Sequence, residues 1–325
     1  MRTAVVGAGA ISAVHVNALL SQGRRVDFIC DTDAEKARAL NERFSLNAEI
    51  YTDYETLIES GKVDVAHICT PHFLHAPMVV RALGKGVHVL CEKPLCICEE
   101  ELREILRAEK HSSARLGVCF QNRYNASTEY VINALKARKI TAAAGSLFWK
   151  RGEEYYHSAP WRGKFATEGG AALINQAIHT LDLLSLLCGG FDHVTANNFN
   201  MSLQTTIEAE DSACALLEKG GLRCNLFATV SAGADFPAEI KLMTDKGLLS
   251  FTCERVEDGN RIMREEEIRE NAGKKCYGNG HAALIADFYG CAETGRKFSM
   301  DGEESAKTMR LVFAVYRSEN RRISV

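Results

Sequence analysis

The sequence predicts an α/β protein in two parts: a doubly wound parallel sheet first, then an α+β domain with a large, mostly antiparallel open sheet. Three observations carry this expectation. Up to Gln121, short apolar runs alternate with helical patterns, as parallel strands joined by right-handed crossovers require. The run ending Val89-Leu90-Cys91 is apolar on both faces, which suits a strand covered on both sides. From Val194 to Phe251 the pattern changes to strand-like runs, Ala213–Leu217, Leu222–Val230 and Ala238–Thr244, separated by turns at Lys219-Gly220-Gly221 and Asp245-Lys246-Gly247.

Bulk properties narrow the possibilities. A chain of 325 residues exceeds one ordinary core, so two domains are expected, 1–121 and 122–325. With 46% hydrophobic residues, 25% charged residues and a net charge of -3, nothing favours nucleic acid or an anionic membrane as partner. The start, Met1 to Val6, reads directly as a strand without a signal-peptide pattern. No apolar run approaches the ~20 residues that span a bilayer, and the expected location is the cytoplasm. Cys30, Cys69, Cys119 and Cys224 sit in apolar runs, where cysteine behaves as a small hydrophobe. Cys96-Ile97-Cys98 has the wrong spacing for a zinc knuckle or redox pair, so no metal is expected.

The first strand, Arg2–Val6, runs into Gly7-Ala8-Gly9-Ala10-Ile11-Ser12, and Val14, Val16, Leu19 and Leu20 then carry a helix. Strand, glycine turn and helix are the parts of a dinucleotide-binding unit. Gly7 permits the tight turn, Gly9 lets the main chain approach a pyrophosphate, and Ser12 replaces the third glycine. Ala10 and Ile11 complete this expected contact surface. A second strand, Arg25–Cys30, ends at Asp31, 19 residues beyond Ser12. That matches the ~20-residue spacing of an acid that binds adenosine ribose hydroxyls. Such an acid repels a 2′-phosphate, and Arg38 lies too far along the next helix to bind one, which favours NAD over NADP.

The helix Asp33–Phe44 and a cap at Tyr51-Thr52-Asp53-Tyr54 lead to the strand Val63–Cys69, which ends in Thr70-Pro71-His72-Phe73-Leu74-His75. A helix over Ala76–Gly84 then returns the chain to Val87–Cys91 and the motif Glu92-Lys93-Pro94. Open α/β sheets bind ligands at the carboxyl ends of their strands, where this charged pair lies. Pro94 restricts Lys93 to extended geometry, so the amine is presented from a stiff corner. Partial desolvation lowers the pKa of such an amine towards a range useful for proton transfer. The helix Glu99–His111 and the strand Arg115–Phe120 close the first domain.

Beyond it, a helix is expected over Thr128–Lys139 and a strand over Gly145–Arg151. The stretch Tyr155-Tyr156-His157 through Trp161-Arg162-Gly163 is aromatic and aperiodic, which suits a polar, ring-shaped ligand. After Gly169-Gly170, Leu173, Ala177, Leu181 and Leu184 form an apolar helical stripe. Asn175, His179 and Asp182 are spaced by four and three residues, so a regular helix places them on one face. Three polar groups there, beside a Gly-Gly break, suggest a site. The stretch Glu254–Gly273 reads as charged and solvated, followed by helices over Gly280–Thr294 and Glu303–Arg317.

With the Gly7 turn, Thr70-Pro71-His72 with His75, Glu92-Lys93-Pro94 and the Asn175–His179–Asp182 helix in view, the chain resembles the glucose-fructose oxidoreductase, inositol dehydrogenase and rhizopine-catabolism (Gfo/Idh/MocA) family over essentially its whole length. The resemblance implies a Rossmann domain and an α+β domain whose sheet builds homodimers or homotetramers. It also implies hydride transfer between NAD(P) and a secondary alcohol carbon of a sugar, cyclitol or related polyol. Carried onto matching positions, Lys93 hydrogen-bonds the reacting hydroxyl, and His179 serves as acid/base beside it. Thr70, Pro71, His72, His75 and Glu92 join the cofactor set. Where the family commonly has aspartate four residues before the histidine, this chain has Asn175, which orients but accepts no proton. Arg123, Tyr124, Lys150, Arg151, Tyr156, Trp161, Arg162 and His281 are candidate substrate contacts with Asn175. Two other activities share these residues: glycoside cleavage through a transient redox step, and a non-catalytic dinucleotide-binding sensor, which would not need both Lys93 and His179.

Overall fold

The structure, a computed structural model, describes residues 1–269 and 278–325. The chain forms two compact units. Positions 270–273 of the expected charged stretch lie outside the described residues.

The first unit contains a six-stranded sheet: β1 (Thr3–Val6), β2 (Phe28–Cys30), β3 (Glu49–Tyr51), β4 (Val65–Ile68), β5 (His88–Cys91) and β6 (Leu116–Val118). Their order is β3-β2-β1-β4-β5-β6 and every pairing is parallel, so this is the predicted doubly wound sheet. Strand order reverses at β1 and β4, which opens a crevice at their carboxyl ends. Asp33 caps the helix Ala34–Arg43, accepting from the Glu35 and Lys36 amides, and Asp53 caps Tyr54–Glu59. β3 was not foreseen: it is three residues long and without a buried face.

One assignment changes. The segment Asn279–Ala306, expected in the second domain, belongs to the first unit. Tyr289, on the helix Gly280–Thr294, is fully buried there and hydrogen-bonds Thr3 of β1 at 2.8 Å and His67 of β4 at 3.0 Å. A phenol buried with both partners satisfied ties the helix to that core.

The second unit contains a nine-stranded sheet: β7 (Ile140–Phe148), β8 (His193–Phe199), β9 (Ser212–Lys219), β10 (Leu222–Thr229), β11 (Glu239–Thr244), β12 (Gly247–Phe251), β13 (Arg255–Asp258), β14 (Arg261–Glu265) and β15 (Ile323–Ser324). The order is β14-β13-β12-β11-β7-β10-β9-β8-β15, antiparallel throughout except for β7 with β10. β7 begins five residues before the predicted strand, because Thr141 and Ala142 lie exposed in a stretch without strict alternation. β13 and β14 lie inside the stretch read as solvated; strand pairing, not apolar burial, orders β14, whose five residues are all exposed.

Against this sheet packs a mostly helical stretch of 24 residues, Phe165–Cys188, interrupted after Glu168 where Gly169 takes a left-handed conformation. By length and composition it could cross a membrane, which corrects the expectation that no such run exists. With 78% of its apolar window buried inside the unit, it fits the core helix of a folded domain. Its middle is irregular: Ala172–Ala177 is a π-helical turn, followed by regular helix over Ile178–Cys188. π turns are rare and recur at functional sites.

Candidate active site

In the first unit, three predicted segments meet at the carboxyl edge of the parallel sheet. Gly7 has φ +91°, and a Cβ there would lie 2.6 Å from the Cys69 carbonyl oxygen, so only glycine fits between β1 and the end of β4. Around Gly9 a Cβ would meet nothing within 4 Å, leaving the loop open on its outer side. The helix Ser12–Ser21 begins without a side-chain cap; the Val14 and His15 amides bond the Ile11 carbonyl, and the start of the helix directs its positive end towards the glycine loop. Ser12 is buried and donates to the Gly9 carbonyl at 2.6 Å, which closes the loop in place of the third glycine. Asp31 accepts from Ala8 N–H at 2.7 Å and from Asp33 N–H at 2.9 Å, so the acid stands beside the loop as its spacing predicted. An open glycine loop, an uncapped helix start and an adjoining acid fit a dinucleotide.

The next segments are joined by His75. Its ring is buried, with Nδ1 2.6 Å from the Pro94 carbonyl and Nε2 2.9 Å from the Thr70 carbonyl. The ring, kept neutral by burial, donates to one of these oxygens and packs against the other, so His75 braces the ends of β4 and β5. His72, on the turn His72–Leu74, is also buried, with its ring centroid 5.7 Å from that of His75. Thr70 and Pro71 remain partly exposed beside the Gly7 turn. Lys93 follows β5 and is half-buried, and the Lys93–Pro94 peptide is cis.

Glu92 turns inwards, away from the cofactor role expected of it. Its carboxylate is 5% exposed and accepts from His15 Nε2 at 3.0 Å and from Lys93 N–H at 3.2 Å. Burial alone would raise its pKa, but the hydrogen bond and charge of His15, with His281 and Lys93 nearby, hold it down at about 2. His281 is corrected as a substrate contact. It is 2% exposed, with Nε2 4.0 Å from Glu92, and burial pushes its pKa down to about 4, leaving it neutral at physiological pH.

In the second unit the polar helix residues part company. Asn175 donates from Nδ2 to the buried Glu168 carboxylate at 2.5 Å and to Tyr155 Oη at 3.2 Å. Asp182 instead accepts two bonds from Arg123, at 2.7 and 2.6 Å, and one from Thr308 at 2.7 Å. Arg123 is thereby one half of a buried ion pair, 9% and 1% exposed at the two side chains. The π turn accounts for the rest: it breaks the regular register that put Asn175 on the face of Asp182. His179 is half-buried on the regular helix that follows the turn.

The aromatic loop is also divided. Tyr156 is 3% exposed in an apolar cluster with Ala171, Ala172, Leu203 and Ile207, which corrects its expected substrate role to packing. Arg162 stacks over Tyr155 at 4.2 Å and Trp161 at 4.7 Å and donates to the Tyr155 hydroxyl. Arg151 is buried in an ion pair with Asp235 at 2.8 Å, whereas Lys150 is exposed and Tyr124 half-buried.

Sequence reasoning missed Glu168 and Glu210. Glu168 accepts from Gly163 N–H as well as Asn175, holding the aromatic loop to the helix. Glu210 receives the Ala171 and Leu173 amides and the Tyr316 hydroxyl, capping the π turn. Burial raises its pKa to about 7 against the pull of those donors. Nothing local in the sequence marks either acid, since their partners are main-chain amides together with the side chains of Asn175 and Tyr316. His15 and His67 were legible in principle, as polar residues inside the apolar runs of a helix and a strand.

Comparison with known proteins agrees with this geometry. Residues 1–120 match the model of an oxidoreductase family with an NAD-binding Rossmann fold, GFO/IDH/MocA, and residues 137–250 match that family's C-terminal domain. D-glucoside 3-dehydrogenase of Escherichia coli is 26% identical, the alignment covering 92% of this chain and 97% of that protein. Inositol 2-dehydrogenase of Corynebacterium glutamicum is 31% identical over 58% of this chain and 54% of its own length. Among solved structures, the WlbA dehydrogenase of Bordetella pertussis, crystallised with NADH and UDP-GlcNAcA, superposes with a TM-score of 0.87 at 28% identity, covering all of this chain and 98% of that one. The chain belongs to the GFO/IDH/MocA family of NAD-binding oxidoreductases.

Proposed function

We propose that this oxidoreductase moves a hydride between NAD and a secondary alcohol carbon of a sugar, cyclitol or related polyol, with Lys93 and His179 handling the hydroxyl proton. The observation that carries the reading is the placement of Lys93. It stands half-buried at the carboxyl end of β5, and the His75 brace links its corner to Thr70, beside the Gly7 turn. The Gly7–Ser12 loop, the helix start and Asp31 would hold NAD, which when bound supplies the hydride acceptor.

Removing a hydride from an alcohol carbon requires the hydroxyl proton to leave as well, so a base must lie within hydrogen-bond reach. Lys93 is assigned that contact, and His179 the second acid/base position. Asn175, committed to Glu168 and Tyr155, orients groups without moving a proton. The named activities of the relatives, on a glucoside and on inositol, support a polyhydroxylated ring as substrate.

The test is a panel of hexoses, glycosides, uronates and inositols with NAD or NADP, read by reduced-cofactor absorbance. Growth of that absorbance with one ring class supports the reading. Substrate consumption without net reduction contradicts it in favour of a transient redox step.

We further propose a homodimer or homotetramer built on the second sheet. Phe148, Leu216, Phe227 and Met243 stand exposed at positions alternating with buried ones on β7, β9, β10 and β11, and the rings of Phe148 and Phe227 lie 5.5 Å apart. Large apolar side chains clustered on an otherwise polar, exposed sheet face favour association. Sedimentation of the purified chain as a dimer or tetramer, converted to monomer by Phe227→Glu, is the expected result; a wild-type monomer contradicts it.

A further inference from the structure

A buried polar chain runs through the first unit, and the proposed reaction does not use most of it. From Glu92 Oε1 it passes to His15 Nε2 at 3.0 Å, from His15 Nδ1 to His67 Nδ1 at 2.8 Å, from His67 Nε2 to Tyr289 Oη at 3.0 Å, and on to Thr3 Oγ1 at 2.8 Å. Each of these residues is buried, at most 5% exposed. Five separate elements supply them: the end of β5, the helix after the glycine turn, β4, β1 and the helix Gly280–Thr294.

We propose that His15 is a positioning residue, a permanently protonated ring that pairs with Glu92 and holds the Lys93 corner against the helix following the glycine turn. The proposal rests on the assignment of Lys93 to proton transfer.

The contacts allow two proton arrangements that differ by one proton. In one, neutral His15 donates only to Glu92, and every later bond in the chain points back towards it. In the other, the His15 imidazolium donates from both nitrogens, His67 accepts at Nδ1 and donates from Nε2 to Tyr289, and Tyr289 donates to Thr3. The second arrangement gives the Glu92 carboxylate a hydrogen-bonded countercharge. Without one, a buried carboxylate bears a desolvation penalty of several kcal/mol.

The groups facing His15 among the described residues are Glu92, His67, Cys69, Cys119, His281 and Tyr289. Burial raises the Cys119 thiol to about 12, so it stays uncharged, and His281 is neutral. Glu92 is the carboxylate that faces His15 among the described residues and bonds it directly, and its other oxygen receives the Lys93 amide. Burial, with the charge of His15, pushes His67 below its ordinary value, so of the two rings His67 is the neutral one.

The experiment is ring-nitrogen NMR of the full chain, labelled at histidine and free of cofactor, near pH ~8, above the ordinary histidine value of ~6.5. One ring protonated at both nitrogens is expected, and its signal is absent from His15→Gln. His67→Gln keeps an acceptor for Nδ1–H and retains the signal, whereas His67→Leu loses it, so the pair decides the matter even where His15→Gln does not fold. In turnover of the alcohol found by the panel, His15→Gln should lower kcat by about 10-fold or more while the Kd for NAD stays within about 3-fold. A His15 ring that deprotonates near ~6.5, or a stoichiometric metal ion found on the purified chain in place of the proton, overturns the proposal. Because the spectrum is read without turnover, an active Lys93→Ala chain would defeat the catalytic reading and leave the His15 signal to stand or fall separately.

Discussion

The carboxylate of Asp31 accepts a hydrogen bond from the main-chain N–H of Ala8 at 2.7 Å, which makes the acid after β2 and the glycine turn after β1 a single structural unit. Replacing Asp31 by serine removes both the ribose ligand and the negative charge that repels a 2′-phosphate. NAD affinity is expected to fall about 10-fold or more while NADP affinity holds or rises, as read by nucleotide fluorescence titration. An unchanged NAD-to-NADP ratio would show that Asp31 does not set the preference.

Gly7→Ala should cost far more than its single methyl suggests. The added carbon would sit 2.6 Å from the Cys69 carbonyl oxygen and 3.1 Å from Thr70 N, at a φ of +91° that alanine avoids. Main-chain atoms have to move, so loss of NAD binding and a stability loss of about 2 kcal/mol or more are expected by calorimetry. Gly9→Ala, with open space around it, should leave stability within about 1 kcal/mol and weaken only nucleotide binding.

Glu92 predicts an acid-sensitive component of stability. Its pKa falls from an ordinary carboxyl value to about 2 in the fold, so its contribution is present above ~4.5 and is lost as pH drops towards ~2. The size is on the order of 3 kcal/mol. Urea unfolding as a function of pH should show this loss in the wild type and not in Glu92→Gln; parallel profiles would contradict it.

The Arg123–Asp182 pair predicts a strong asymmetry. Asp182→Ala leaves a guanidinium buried without its carboxylate and should destabilise by about 3–5 kcal/mol. The double substitution Arg123→Met, Asp182→Leu should recover most of that loss, because neither charge is then stranded. Additive losses in a double-mutant cycle would refute the pairing.

Much of this was legible because it depends on local patterns. Asp33 and Asp53 cap the helices they precede, Asp31 falls beside Ala8 at its expected distance, and the helix Glu99–His111 has its predicted ends. What the sequence does not show is which polar side chains have partners within the fold. Arg123 pairs with Asp182, His75 lies between the carbonyls of Pro94 and Thr70, and His281 sits in the interior beside Glu92; apart from Thr70, these partners are far away in sequence. The π turn at Ala172–Ala177 was hidden because a count of four and three residues assumes a uniform helix.

The central claim is that Lys93 handles the substrate hydroxyl proton in an NAD-linked oxidation. Its most direct test is single-turnover reduction of NAD by the panel's substrate in Lys93→Ala, with NAD affinity measured on the same sample. The account predicts a rate lowered by about 100-fold or more with the NAD Kd within about 3-fold of wild type. A rate near that of the wild type, with NAD still bound, would contradict it.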